Sequence, residues 1–212
     1  MAYLVGLLCA DGAVVDARKS SRTCYVALTN KDLNLLYQVR RILSSNHRIY
    51  KRPEQIVHFR GSDKSYISSG NYYLRIGNKI IFQDLVNLGV KPRKSLCLRL
   101  PKMPTRYFAF FLRGYFDGDG CIYLENPTGI NSPRLRTIFT SGSQKLLSKI
   151  SEKLYLCVGS SKQKIYRQGR AYRLFYNKRD SLKILKLMYR HLESAPFLRR
   201  KYKKYLQALT FI

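Results

Sequence analysis

Apolar and polar positions alternate along this chain with two periods, and the same succession of periods occurs twice. Residues 2–10 form an apolar run that predicts a helix. "GAVVDAR" and "TCYVALT" alternate around a basic turn and predict two strands, and "KDLNLLYQVRRILSS" has the helical spacing. "RIYKR" and "NYYLRIG" predict two further strands, and "KIIFQDLVNLG" a helix stopped by Gly89. The order then returns with the apolar run "FLRGYFDGDG", strands "CIYLE" and "RLRTIFT", and a helix in "SQKLLSKISEKLYL". Strands "QKIYRQ" and "AYRLFY" follow, then a helix in "SLKILKLMYRHL" and a last one at about 197–209. Residues 53–70 have no counterpart of equal length and predict a long hairpin excursion.

The repetition is visible in the letters themselves. "YLVGLLCADGAVV" (3–15) matches "FLRGYFDGDGCIY" (111–123), "LTNKDLNLL" (28–36) matches "FTSGSQKLL" (139–147), and "KPRKS" (91–95) matches "LRRKY" (198–202). The matches keep their order at a nearly constant separation. We therefore read a duplicated α+β unit, an antiparallel sheet backed by helices in each copy, with halves at 1–97 and 107–212 joined by the proline-containing linker 98–106.

Charge narrows the function. Forty Lys and Arg against 12 Asp and Glu leave a net charge of +28 on 212 residues. Such a surface calls for a polyanion, and nucleic acid is the first candidate. The strands support this: "RLRTIFT", "QKIYRQGRAYRLFYNK" and "RIYKR" alternate apolar residues with Arg, Lys, Gln or Tyr and almost no acid. One face of each sheet would join a core, while the other would lie in a major groove of double-stranded DNA. The candidate DNA-contacting residues are Arg18, Lys19, Arg22, Arg48, Lys51 and Arg75 in the first copy. In the second they are Arg134, Arg136, Lys164, Arg167, Arg170 and Arg173. The five cysteines form no CxxC and, with three histidines, argue against a zinc site and suit a reducing compartment. The opening run is too short to span a bilayer and lacks a basic n-region, so no membrane partner is expected.

The few acids sit in an odd place. Gly6 and Ala10, like Gly114 and Gly118, are four apart, so the two apolar helices can pack closely about a pseudo-two-fold axis, with Gly6 and Gly114 in the interface. Gly12 and Gly120 suit left-handed caps. Asp11 and Asp119 then lie at helix C-termini, where the dipole already disfavours a carboxylate, and face each other across the axis. A hard cation such as Mg²⁺ at the junction resolves the conflict. The duplicated Lys94 and Lys201 are candidates to neutralise a phosphate or order the attacking water.

"LVGLLCADG" (4–12) and "LRGYFDGDG" (112–120) resemble the signature of the LAGLIDADG homing endonucleases. The resemblance runs over essentially the whole chain and implies the single-chain, two-motif, monomeric form. It implies two αββαββα halves seated on DNA like a saddle, cutting both strands with 3′ overhangs at a long site in support of intron or intein mobility. Carried over, it makes Asp11 and Asp119 the metal carboxylates, with the Ala10 and Gly118 carbonyls beside them. Asn30 and Ser141 fall at the water-ordering position, and Lys94 and Lys201 at the basic residue closing each half. Mg²⁺ is the implied cofactor, with Mn²⁺ substituting and Ca²⁺ supporting binding without cleavage. Asp117 falls at a position without a catalytic role and is read as a polar helix-end residue. The main alternative on the same fold is an RNA maturase acting on intron RNA. A transcription regulator or a ribosomal-type RNA binder leaves the duplicated Asp-Gly unexplained.

Overall fold

The computed structural model describes residues 1–21, 23–58, 65–92, 94–125 and 134–210, with only the backbone at residues 20 and 21. At its centre lie two helices, α1 (Ala2–Ala10) and α5 (Phe108–Asp119), whose apolar composition lets them be buried on nearly every side. They meet through glycine. A Cβ added at Gly6 would stand 2.0 Å from the Phe111 carbonyl oxygen, and one at Gly114 would stand 1.9 Å from that of Tyr3. No other residue permits that approach, so the seam is backbone against backbone.

Each half wraps a four-stranded antiparallel sheet around one of these helices. In the first, β1 (Gly12–Ala17) and β2 (Thr23–Asn30) are joined through a short α2 (Arg18–Ser21). Helix α3 (Leu33–Ile42) follows, then β3 (Ile49–Arg52), the pair β4 (Gln55–His58) and β5 (Ser65–Ser68), β6 (Asn71–Gly77) and α4 (Lys79–Asn87). The sheet order is β1-β2-β6-β3, and β4 and β5 pair only with each other, as the hairpin excursion expected at 53–70. The second half contains β7 (Gly120–Glu125), β8 (Arg134–Ser141), α6 (Gln144–Val158), β9 (Tyr166–Gln168), β10 (Ala171–Tyr176), α7 (Lys178–Met188) and α8 (Arg199–Leu209). Its order, β7-β8-β10-β9, repeats the first. The two halves are pseudo-symmetric, as the duplicated sequence implies.

Local chemistry sets the helix ends. Asp32 caps α3 by accepting from the Asn34 and Leu35 amides, Asn78 caps α4, and Ser143 caps α6. Gly159 at φ 60° closes α6 in the left-handed conformation, and Gly89 at φ 89° follows α4. Gly12 and Gly120 do not have the left-handed conformation anticipated for them. Both are glycine because the chain crowds there: an added Cβ would lie 2.6 Å from Leu8 Cα or 2.0 Å from Phe116 Cδ2.

The core joins the seam to the inner sheet faces through Leu7, Val26, Leu35 and Leu74 on one side and Phe116, Phe139, Leu147 and Leu174 on the other. Among the described residues the second half also buries four charged side chains, Arg113, Asp117, Asp180 and Lys201, the first two on α5. Arg113, fully buried, donates to the carbonyls of Met188, His191 and Ala195 at 3.0–3.2 Å and so ties down the segment leading to α8. Asp117, 1% exposed, accepts from the Tyr3 hydroxyl at 2.8 Å and the Leu198 amide at 2.9 Å, linking α5 to α1 and to the start of α8. Among the described residues no helix is long and apolar enough to cross a membrane.

Candidate functional site

The seam carries its chemistry at one end. Asp11 follows the last residue of α1 and Asp119 ends α5, so the glycine contacts that join the helices also bring the two acids together. A Cβ on Gly118 would stand 3.3 Å from Asp11 Oδ2, which places the Asp11 carboxylate against α5, near enough for its charge to act on Asp119. Both are half-buried. Burial first, and then the Asp11 charge, push the Asp119 carboxyl up to about 6, against the pull of Lys201 and Lys94. Asp11 is raised by burial too, opposed by Lys201, Arg200 and Lys94. Two acids that resist ionisation side by side suit a shared cation.

Lys94, in a short 3₁₀ turn, and Lys201, in α8, are 6% and 4% exposed. Their ammonium groups face backbone carbonyls, that of Gly12 at the start of β1 just past α1 for Lys94, and those of Phe116 and Asp117 in the last turn of α5 for Lys201, the last at 2.9 Å. A cation capping a helix C-terminus offsets the unpaired carbonyls there. Burial lowers both ammonium groups, Lys201 to about 8. In this arrangement they act on the acids through their charge rather than facing open solvent.

Asn30 and Ser141 end the equivalent strands β2 and β8 and make the same turn: Asn30 Oδ1 accepts from the Asp32 amide at 2.9 Å, Ser141 Oγ from the Ser143 amide at 3.0 Å. Asn30 retains an amide group, which reaches Asp11 Oδ2 at 3.4 Å. Ser141 is 5% exposed, shares a hydrogen bond with the Tyr115 side chain, and has no amide to extend toward the acids. The two half-sites are therefore unequal. A cavity of about 980 Å³ opens over the first, lined by Asp11, Asn30, Lys31, Tyr72 and Arg200. Arg200, exposed on α8, thus brings a charge from the second half into the first half's site. Among the described residues no group of three or more His, Cys, Asp or Glu could hold a metal, so the donor set is two carboxylates plus carbonyls and whatever the substrate brings. That set fits Mg²⁺, which keeps waters and uses one or two carboxylates with substrate phosphates.

The outer sheet faces flank this centre. In the first half, Tyr25, Tyr73, Arg75, Tyr50 and Arg52 share a face, with the Arg75 guanidinium 3.6 Å from the Tyr25 ring centroid and that of Arg52 4.3 Å from Tyr73. In the second, Tyr123, Arg134, Arg136, Arg173, Phe175 and Tyr166 share one, with Tyr166 stacked on Phe175 at 5.1 Å. Aromatic rings under guanidinium groups hold the charges upright.

A family model described as LAGLIDADG endonuclease matches residues 112–212, and one described as a LAGLIDADG-like domain matches 1–86. The chain belongs to the LAGLIDADG family. The fold of this LAGLIDADG chain is also that of solved homing endonucleases. A variant of I-DmoI in complex with its target DNA in the presence of Mn superposes with a TM-score of 0.59 at 23% identity, covering 92% of this chain and 96% of that one. Meganuclease I-SmaMI bound to uncleavable DNA gives 0.60 at 15% identity, covering 98% and 88%. I-SmaMI on uncleaved target with calcium ions gives 0.59 at 14%, covering 99% and 89%. None of the curated proteins matches the chain.

The residues proposed for DNA contact from the basic strands and turns fall in three groups. Arg75, Arg134, Arg136 and Arg173 are exposed on the outer faces, and Arg48 and Lys164, exposed just before β3 and β9, reach over the outer-face rings of Tyr50 and Tyr166. Arg18 and Lys19 are exposed at the β1–β2 turn, Arg18 paired with Asp16 at 2.6 Å, and Arg22 lies outside the described residues. Lys51, Arg167 and Arg170 are corrections. Lys51 alternates with Tyr50 and Arg52 and so takes the other face of β3, while Arg167 and Arg170 line a cavity with Tyr172 behind the second sheet. Arg52, Tyr25, Tyr73 and Arg200 were missed. Period-2 counting marks the first three, and the "KPRKS"/"LRRKY" match marks Arg200 beside Lys201.

Proposed function

We propose that this LAGLIDADG chain is a site-specific, metal-dependent DNA endonuclease that cuts both strands of a long target with 3′ overhangs and supports intron or intein mobility. It would act as a monomer whose halves, 1–97 and 107–212, are joined by 98–106. The observation that carries the reading is the pairing of Asp11 with Asp119 at the end of a glycine seam, between two outer sheet faces that present Arg and Tyr.

Asp11 and Asp119, with the Ala10 and Gly118 carbonyls beside them, are the residues that would hold Mg²⁺ or a substitute. When bound, such a cation polarises the phosphoryl oxygen, activates water and stabilises the leaving 3′ oxygen. The protein supplies the rest. Asn30 Nδ2 steadies Asp11 Oδ2. Lys94 and Lys201 hold positive charge below the acids, favouring their ionised forms and damping the charge that develops on the phosphorane. Arg200 faces the cavity over Asp11, where a phosphate of the cut strand would enter. The outer-face arginines and tyrosines read bases and grip phosphates.

The test is Mg²⁺-dependent cleavage of a randomised plasmid library with the cut ends sequenced, followed by Asp11→Asn and Asp119→Asn. Each variant should lose double-strand cleavage while binding the recovered target in Ca²⁺ with near wild-type affinity. A variant that still cuts both strands in Mg²⁺ at the wild-type rate would remove the metal assignment.

A further inference from the structure

Helix α6 and residues 99–108 enclose a cavity of about 680 Å³ on the helical side of the second half. This side is opposite the outer sheet face, because Leu146, Leu147 and Ile150 of α6 pack against the inner face that carries Phe139 and Leu174. The cavity has an apolar lining of Leu100, Pro101, Met103 and Phe108. Lys102, Lys149 and Lys153 line it with positive charge. A second cavity, about 460 Å³, adjoins it through the shared Arg99 and Lys145 and adds Arg167, Arg170 and Tyr172 at the β9–β10 turn. Together they make a trough from the linker, past the N-terminal end of α6, to the sheet-edge strand β9.

Seven cations border this trough, and among the described residues Glu152, paired with Lys149 at 2.6 Å, is the one acid that meets any of them. Mutual repulsion at that density calls for a polyanion. The apolar lining narrows its kind. A duplex offers a protein its phosphates and groove edges but hides its base faces, whereas an unpaired strand offers both phosphates and ring faces. We propose that the trough binds a single strand of nucleic acid, its phosphates on the cations from Lys102 to Arg170 and its bases against Leu100, Met103 and Tyr172. The site is separate from the cutting centre, so binding there does not depend on cleavage.

The test uses oligo(dT) and oligo(U) of roughly 12 nucleotides, within the usual span of such sites, each carrying a photoreactive thio-base. Anisotropy should show that Arg99→Glu with Lys145→Glu weakens binding at least tenfold, while Arg136→Glu on the outer face changes it less than twofold. Crosslinks should map to Met103 or Tyr172. Cleavage of the plasmid library should be unchanged in the double variant, and its melting temperature should match wild type. Preference for one oligonucleotide supports the site and identifies the sugar it accepts. Unaltered affinity in the double variant, or crosslinks confined to Tyr25, Tyr73 or Tyr123, would overturn the proposal. Absence of plasmid cleavage with intact oligonucleotide binding would count against the endonuclease and leave the trough standing.

Discussion

Adding a single methyl group at Gly114 tests the seam on which the pairing of Asp11 with Asp119 depends. In Gly114→Ala the new Cβ falls 1.9 Å from the Tyr3 carbonyl oxygen, 2.8 Å from its carbon and 3.0 Å from the Leu7 amide nitrogen. These are backbone atoms within a helix, so no side chain can rotate away. Reaching even a tight 3.0 Å from that oxygen requires α1 and α5 to separate by about 1.1 Å. Overpacking of this kind costs about 1–3 kcal/mol, which in a chain of this size lowers the melting temperature by roughly 2–12 °C. The same displacement moves Asp119 relative to Asp11, and a misplacement of about 1 Å costs on the order of 10²-fold in rate. Gly77→Ala is the control, since its added Cβ meets only Thr23 Oγ1 at 3.7 Å. Thermal melting by circular dichroism and single-turnover cleavage read both effects. If Gly114→Ala melts and cuts like wild type, the helices do not meet at Gly114, and the pairing of the two acids inferred from that contact fails with it.

Three further outcomes are expected. Because Asp119 holds its proton to about 6, above the ordinary ~3.9, the folded state binds more protons in that interval than the unfolded one. This group's destabilising effect, present above about pH 6, is therefore relieved as pH falls toward 4, and the Mg²⁺ concentration giving half-maximal cleavage should rise by up to about tenfold per unit below about pH 6. A half-saturation flat from about pH 7 to about pH 5 would contradict this. Asp117→Ala leaves the Tyr3 hydroxyl and Leu198 amide without their buried acceptor and should cost about 2–5 kcal/mol in urea unfolding; an unchanged midpoint would dismiss the link to α8. Arg200→Ala should slow cleavage of one strand more than the other and let nicked plasmid accumulate, because Arg200 lines the cavity over Asp11 and its charge acts on that carboxyl; equal slowing of both strands would count against that role.

Much of this architecture was legible in the sequence, since the elements follow hydrophobic periods that each copy states independently. The seam could be anticipated because small residues at a four-residue spacing have few other uses in an apolar helix. What escaped depended on distance in three dimensions. The Asp-Gly pairs suggest caps, yet Gly12 and Gly120 are crowded by Leu8 and Phe116 from the preceding turn rather than held at positive φ. That Lys94 and Lys201 turn inward to backbone carbonyls is decided by the depth at which their turns dock. Nor does anything local pair Tyr3 with Asp117, which lie 114 positions apart. The misplacement of Lys51 and Arg167 is different: strict two-residue alternation already assigns them to the opposite face from Tyr50 and Tyr166.

The two-sidedness of the strands has a consequence for how such a protein changes over generations. Arg75, Arg136 and Arg173 take no part in the core, so replacing them alters stability by only about half a kcal/mol. The proposed cutting centre, by contrast, is held in place by Gly6 and Gly114, where an added Cβ would strike the backbone of the facing helix. On the proposed reading, preference for a target can therefore wander while the cutting centre stays intact, which would leave a lineage free to follow its site as that site mutates.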